Sequence, residues 1–204
     1  MPRVAFRIAG RDTPFWANPN RNAYRFNQRD QNATQYLALH PLGPWAEYLR
    51  GSERRTSALL RDLRGRMWAV RIPDELEELV VGFDEARTFG LEPDDLVSDD
   101  HARCQAFADE LRAEPTAPRL LRVPSAALPG AENLVILGPR VAIPWSVDPL
   151  DESELSASVS ADDARPPSAL LPLVRFHGEP HAGLDAWLAG EPLVPIDVPV
   201  PLDD

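Results

Sequence analysis

The chain has 204 residues and a formal net charge of -11, with a single cysteine, Cys104, and no lysine. This length can bury a core of its own, while one cysteine rules out an intrachain disulfide and argues against a thiolate metal site. An acidic chain also lacks the net basic face that general nucleic-acid binding needs.

In chain order, Val4 to Ala9 is short and apolar and reads as a strand. Residues 11–32 have no steady period, but Phe15, Trp16, Tyr24 and Phe26 argue for an ordered covering loop rather than disorder. Thr34 to Leu39 reads as a second strand. Pro44 suits the first turn of a helix through Trp45, Glu47 and Leu49, which Gly51 ends. Ser52 is the expected N-cap of a second helix carrying Leu59, Leu60 and Leu63, followed by a strand over Met67 to Ile72. The acidic stretch 74–98 reads as one or two short helices. Asp99 or Asp100 should cap a helix over Ala102 to Glu114, with Cys104, Phe107, Ala108 and Leu111 inward. Leu120 to Val123 and Leu134 to Leu137 are strand candidates. Alternation this irregular does not fit a doubly wound parallel sheet, so the expected class is α+β.

The composition changes after Pro149, dividing the chain into a domain over 1–149 and an acidic, proline-rich extension over 150–204. Residues 150–169 read as linker, Leu170 to Phe176 as one more strand, and Leu184 to Leu188 as a helical turn. The end, PLVPIDVPVPLDD, repeats prolines too closely for helix or central strand and reads as a strap or tail.

Charge is uneven along the chain. Residues 1–71 carry 13 arginines against 5 acidic residues, whereas 72–150 carry 6 against 16 and 151–204 carry 2 against 11. The basic first third could hold a small anion such as a pyrophosphate, although Arg50, Arg54, Arg55, Arg61 and Arg64 are expected mostly at the surface. No segment approaches the ~20 apolar residues that span a bilayer, and MPRVAFRIAGR has no uninterrupted apolar run. A soluble, cytoplasmic protein without membrane contact is expected. The four histidines lack zinc-ligand spacing, and Gly178 and Pro180 oppose a helix that would align His177 with His181, so no metal is expected. Phosphate-loop, dinucleotide-fold, zinc-protease and nucleophile-elbow motifs are all absent.

A set of looser motifs is more informative in combination. AFRIAG at 5–10, YRFN at 24–27, YLA at 36–38, Glu47, a DD-x-x-x-C-Q run at 99–105, VPSA at 123–126 and ENLVILG at 132–138 follow one another in that order. This series, over about residues 3–145, resembles the RES domain family of bacterial proteins, often toxins of toxin–antitoxin pairs, with a core similar to ADP-ribosyltransferases. The resemblance implies split mixed or antiparallel sheets with surrounding helices, and NAD⁺ as substrate. It places the family arginine at Arg7, the glutamate at Glu47 and the serine at Ser125, with Arg25 in the family loop and Tyr36 in the YLA strand.

Two departures stand out. Ala23 and Tyr24 replace paired glycines before the loop arginine, which alters the loop, and Ile8 replaces an aromatic that often follows the first arginine, removing a nicotinamide-stacking contact. The implied activity is cleavage of the nicotinamide–ribose bond by a glycohydrolase or phosphorylase. Alternatives are a protein ADP-ribosyltransferase using the same site and a catalytically silent binding module. A helix-turn-helix antitoxin is the implied partner, and a homo-oligomer stays open.

The chemistry of these residue types agrees with that reading. Such cleavage passes through an oxocarbenium-like state, as glycoside cleavage does, which a carboxylate such as Glu47 stabilises. Arg7 and Arg25 suit pyrophosphate oxygens, Tyr36 can pack on the nicotinamide ring, and Ser125 can donate to the cofactor or orient Glu47. Taken singly, Glu47 reads as an exposed helix residue, Tyr36 as core and Ser125 as turn chemistry.

Overall fold

The computed structural model describes residues 3–10, 13–74, 76–139, 145–146, 155–193 and 196. Strands are β1 (Arg3–Ile8), β2 (Gln35–Ala38), β3 (Gly65–Ile72), β4 (Glu78–Val80), β5 (Leu120–Pro124), β6 (Glu132–Ile136), β7 (Trp145–Ser146) and β8 (Leu155–Ala164). Helices are α1 (Gly43–Gly51), α2 (Ala102–Ala113) and α3 (Ala182–Ala189). The strands form one mixed sheet in the order β4-β5-β6-β2-β1-β3-β8-β7, with β4/β5 and β7/β8 parallel and the other pairs antiparallel. This is the expected α+β class. No helix among the described residues is long and apolar enough to cross a membrane.

Alternating side chains cover both faces of the sheet. On β5, Leu120 packs to one side and Leu121 and Val123 to the other; on β6, Leu134 and Ile136 oppose Val135. One side carries α2, through Cys104, Phe107 and Ala108, and a second cluster on Trp45, Ala46 and Leu49 seats α1. Helix α1 starts with Pro44 in its first turn and lies close against β2. A Cβ on Gly43 would fall 2.5 Å from the Cβ of Ala38, so only glycine lets the helix approach this near.

The junction that matters most lies between β1 and β2. Strand β1 pairs with β3 along its whole length, from Arg3↔Ile72 to Ile8↔Met67, but meets β2 only at Phe6↔Ala38. The two halves of the sheet therefore part along β1 and β2, and the irregular segment 13–34 packs there with Phe15 and Phe26 buried.

Four sequence expectations are corrected. No helix follows Ser52: its Oγ donates back to the Tyr48 carbonyl at 2.7 Å, Glu53 turns left-handed at φ 51°, and only a 3₁₀ turn forms at Ser57–Leu60. The acidic stretch makes 3₁₀ turns at Ala86–Phe89 and Pro93–Leu96, but also β4, whose Glu78 is held by Arg3 at 2.7 Å and Arg122 at 2.8 Å. Within the segment read as linker, residues 155–164 form β8 beside β3. Ser, Asp and Ala are weak strand formers, yet Leu155 and Ala157 are buried and β3 supplies the ladder. Ser168–Leu173 is a 3₁₀ turn containing Pro172 rather than a strand. The expected turn near Leu184 is the longer α3, and the proline-rich strap lies outside the described residues except 192–193 and 196.

If β8 is part of the core, Leu155→Ala, at a position 1 % exposed, should lower unfolding free energy by about 2–5 kcal/mol. Urea titration measures this, and an unchanged midpoint would return the segment to the status of linker.

Candidate active site

A cavity of about 740 Å³ opens where β1 and β2 part, lined by residues of β1, β2, α1 and the loop over residues 16–26. Arg7, Arg25, Tyr36 and Glu47 all line it; Ser125 does not, although its neighbours Pro124 and Ala126 do.

Glu47 is exposed on the cavity side of α1 and is held from behind. Its Oε1 accepts from Asn133 Nδ2 at 2.9 Å and from Ser125 Oγ at 3.3 Å. Ser125 is fully buried, and its Oγ also accepts from the Leu128 amide at 3.1 Å. Of its two anticipated roles, the geometry supports orienting Glu47. Asn133 was legible only as a position of the ENLVILG motif, with no role attached. It fixes the carboxylate, leaving its own Oδ1 buried without a hydrogen-bond partner.

Arg7 projects from β1, 8 % exposed, with its guanidinium 4.3 Å above the Trp16 ring. Its Nη1 donates to Gln35 Oε1 at 3.1 Å, and no carboxylate pairs with it among the described residues. Burial pushes this cation down to about 9, partly offset by Tyr24 and Tyr36, which leaves it charged at neutral pH. Gln35 is the plug of the junction. Its Oε1 also accepts from the Trp16 amide at 2.9 Å, while Nε2 donates to the carbonyls of Trp16 and Gly138, both at 3.1 Å. The amide is saturated on both atoms, so Arg7 sits over a fixed acceptor.

Arg25 and Tyr36 are tied into the loop. Arg25 donates from Nη1 to the Asp95 carbonyl at 2.9 Å and from Nη2 to the Ser98 carbonyl at 2.6 Å, and burial pulls it below the usual arginine range. Tyr36 donates to Asn27 Oδ1 at 2.9 Å and accepts from the Phe26 amide at 3.0 Å; burial raises its phenol well above the ordinary value. Its hydroxyl therefore shapes the loop, and its ring meets Tyr24 edge-on at 5.8 Å. Gln105 holds the same loop, donating to the carbonyls of Tyr24 at 2.9 Å and Asn27 at 3.2 Å.

Three further residues escaped the sequence reading. Arg50, expected at the surface, is 4 % exposed, lines the cavity and pairs with Asp99. Asp99 also accepts from Arg175 at 3.1 Å and from the Gly178 amide at 2.7 Å. Burial pushes Asp99 up, but that amide and the two arginines outweigh it and leave the carboxyl below its usual range. His181 caps α3, accepting the Leu184 amide at Nδ1, so Nε2 carries the proton and donates to the Ser125 carbonyl at 3.0 Å. His101 lines the cavity, and burial, then Arg25 and Arg50, push it down to about 4. Apart from the local cap on the Leu184 amide, these partners lie far apart in sequence, so only the fold reveals them. No cluster of three or more potential metal ligands occurs among the described residues.

Burial also lowers His181 from its ordinary value. Both imidazoles are neutral in the fold, while an unfolded chain protonates them near pH ~6.5. Their stabilisation is complete above that pH and is lost as pH falls toward about 4, where His101 titrates in the folded protein. Denaturation midpoints should fall across this window, and His101→Gln should flatten the slope. A pH-independent midpoint would contradict the burial assignment.

The model of the RES domain matches residues 3–153. No curated protein matches the chain in sequence. Among solved structures, a chain of the crystal structure of the M. tuberculosis MbcT–MbcA toxin–antitoxin complex has a similar fold, with a TM-score of 0.61 and 22 % identity over 84 % of this chain and 88 % of that one. Because the family model covers most of its length, the chain belongs to the RES domain family.

Proposed function

We propose that the protein binds NAD⁺ in the cavity between β1 and β2 and cleaves its nicotinamide–ribose bond, as a glycohydrolase or phosphorylase. The observation that carries this reading is a carboxylate and a buried cation lining one cavity: Glu47, fixed by Ser125 and Asn133, and Arg7, which has no carboxylate partner among the described residues. A buried guanidinium without an anionic partner is costly, and a pyrophosphate would supply the missing charge bidentately. The volume suits a small-molecule ligand.

In the reaction, positive charge develops on the ribose as the bond to nicotinamide lengthens. Glu47, preoriented by two hydrogen bonds, stabilises that charge without having to reorganise. Nicotinamide leaves as a neutral molecule, so its departure needs no general acid. The likeness in fold to a chain of a toxin–antitoxin complex supports a toxin role, with a helix-turn-helix antitoxin protein that blocks the cavity mouth as partner.

NAD⁺ loss with and without phosphate tests the reading. Glu47→Gln, which keeps shape but removes charge, should lower turnover about a hundredfold or more, and Glu47→Ala at least as much; undiminished turnover would sink the assignment. Labelled NAD⁺ separates free ADP-ribose or its 1-phosphate from label carried onto protein, the signature of the transferase alternative. Arg7→Met should raise KM for NAD⁺ about tenfold or more, and an unchanged KM would remove Arg7 from the pyrophosphate.

A further inference from the structure

His177 and the Glu53 carboxylate that it meets take no part in the binding and cleavage described above. His177 lines the cavity, and its Nδ1 lies 2.7 Å from Glu53 Oε1. A carboxylate can only accept, so Nδ1 carries the proton and the free lone pair is on Nε2, which has no partner among the described residues. His177 lies beyond residues 3–153 that match the family model, in the C-terminal segment.

Further hydrogen bonds surround both members of the pair. Next to His177, the Phe176 amide donates to Glu179 Oε2 at 2.9 Å and the Gly178 amide to Asp99 Oδ2 at 2.7 Å. Glu53 is pinned by Arg55, whose Nη2 lies 2.7 Å from its Oε2 while Nη1 reaches Glu179 at 2.7 Å. Hydrogen bonds from His177 and then Arg55 hold the Glu53 carboxyl below its usual range. Glu53 also takes a left-handed backbone, φ 51°, which is costly for a residue with a Cβ and is often retained at functional positions.

His177 and Glu47 line one cavity. Glu47 and Gly51 are four residues apart on α1 and both line the cavity, which puts them on one helix face about 6 Å apart along the axis. His177 lines the same cavity. The other imidazole there, His101, is pushed down to about 4 by burial, Arg25 and Arg50, and is a poor base at neutral pH.

We propose that Glu53 and His177 form a general-base dyad that activates a water molecule as the acceptor, an inference that rests on the NAD⁺-cleaving reading above. The bond from nicotinamide to the ribose C1′ breaks with its electron pair going to the ring nitrogen. The water oxygen bonds to C1′ and passes its proton to His177 Nε2, which releases it to solvent. Glu53 holds the imidazole in the required tautomer and stabilises the imidazolium that forms.

The test compares the full-length wild type with His177→Gln and Glu53→Gln, measuring ADP-ribose formed in water and ADP-ribosyl azide formed in added azide. Azide attacks without losing a proton, so it bypasses a base. His177→Gln should lower ADP-ribose formation about a hundredfold or more, Glu53→Gln should lower it by a smaller factor, and both should form the azide adduct at the wild-type rate, which also shows that fold and binding persist. Wild-type ADP-ribose formation by His177→Gln, or an equal loss of both products, overturns the dyad. A wild type that consumes no NAD⁺ in either condition overturns the cleavage reading itself, and the dyad with it.

Discussion

The parting of β1 from β2 is the constraint on which the rest of the structure depends. A sheet gains by continuing its ladder, and β1 does so against β3 from end to end, yet toward β2 it stops at Phe6↔Ala38. The backbone groups freed by that parting need other partners. At the junction the buried amide of Gln35 bonds the Arg7 guanidinium, both backbone groups of Trp16 and the Gly138 carbonyl. The same break that costs ladder hydrogen bonds opens a cavity between two halves of one sheet, lined by residues of β1, β2 and α1.

Electrostatics follow from this geometry. The chain carries a net charge of -11, yet Arg7, Arg25 and Arg50 are all at most 8 % exposed around one cavity. Each solves the cost of burial differently. Arg50 uses the Asp99 carboxylate, Arg25 uses two backbone carbonyls, and Arg7 has, among the described residues, an amide oxygen and an indole face. Arg7 is thus the least compensated of the three, and it is the one that an anionic ligand would relieve most. The collected positive charge also helps keep His101 neutral.

The C-terminal segment is structural support for the site as much as a continuation of the chain. Strand β8 extends the sheet beyond β3, Arg175 and Gly178 fix Asp99 behind Arg50, and His181 holds the Ser125 carbonyl. Its composition concealed this. Serine, aspartate and alanine along 155–164 have little strand preference of their own, so the element exists because β3 offers a ladder and two alternating positions, Leu155 and Ala157, reach the core. The helix expected after Ser52 failed for the converse reason: its leucines still bury, at Leu60 and Leu63, but the chain turns left-handed at Glu53 before a helix can start.

The sequence by itself determined the α+β class, the central strands, α1 and α2, because apolar periodicity and proline or glycine punctuation act over a few residues. It also marked Arg7, Arg25, Tyr36, Glu47 and Ser125, through the order of short motifs. Only the tertiary structure decided what these residues face. It set Ser125 behind Glu47 rather than in the cavity, turned the Tyr36 hydroxyl into the loop, and brought Arg50, Asn133, His101, His177 and His181 to or behind the cavity wall. Those contacts join residues up to 124 positions apart, and no local preference of the chain encodes a hydrogen bond across that separation.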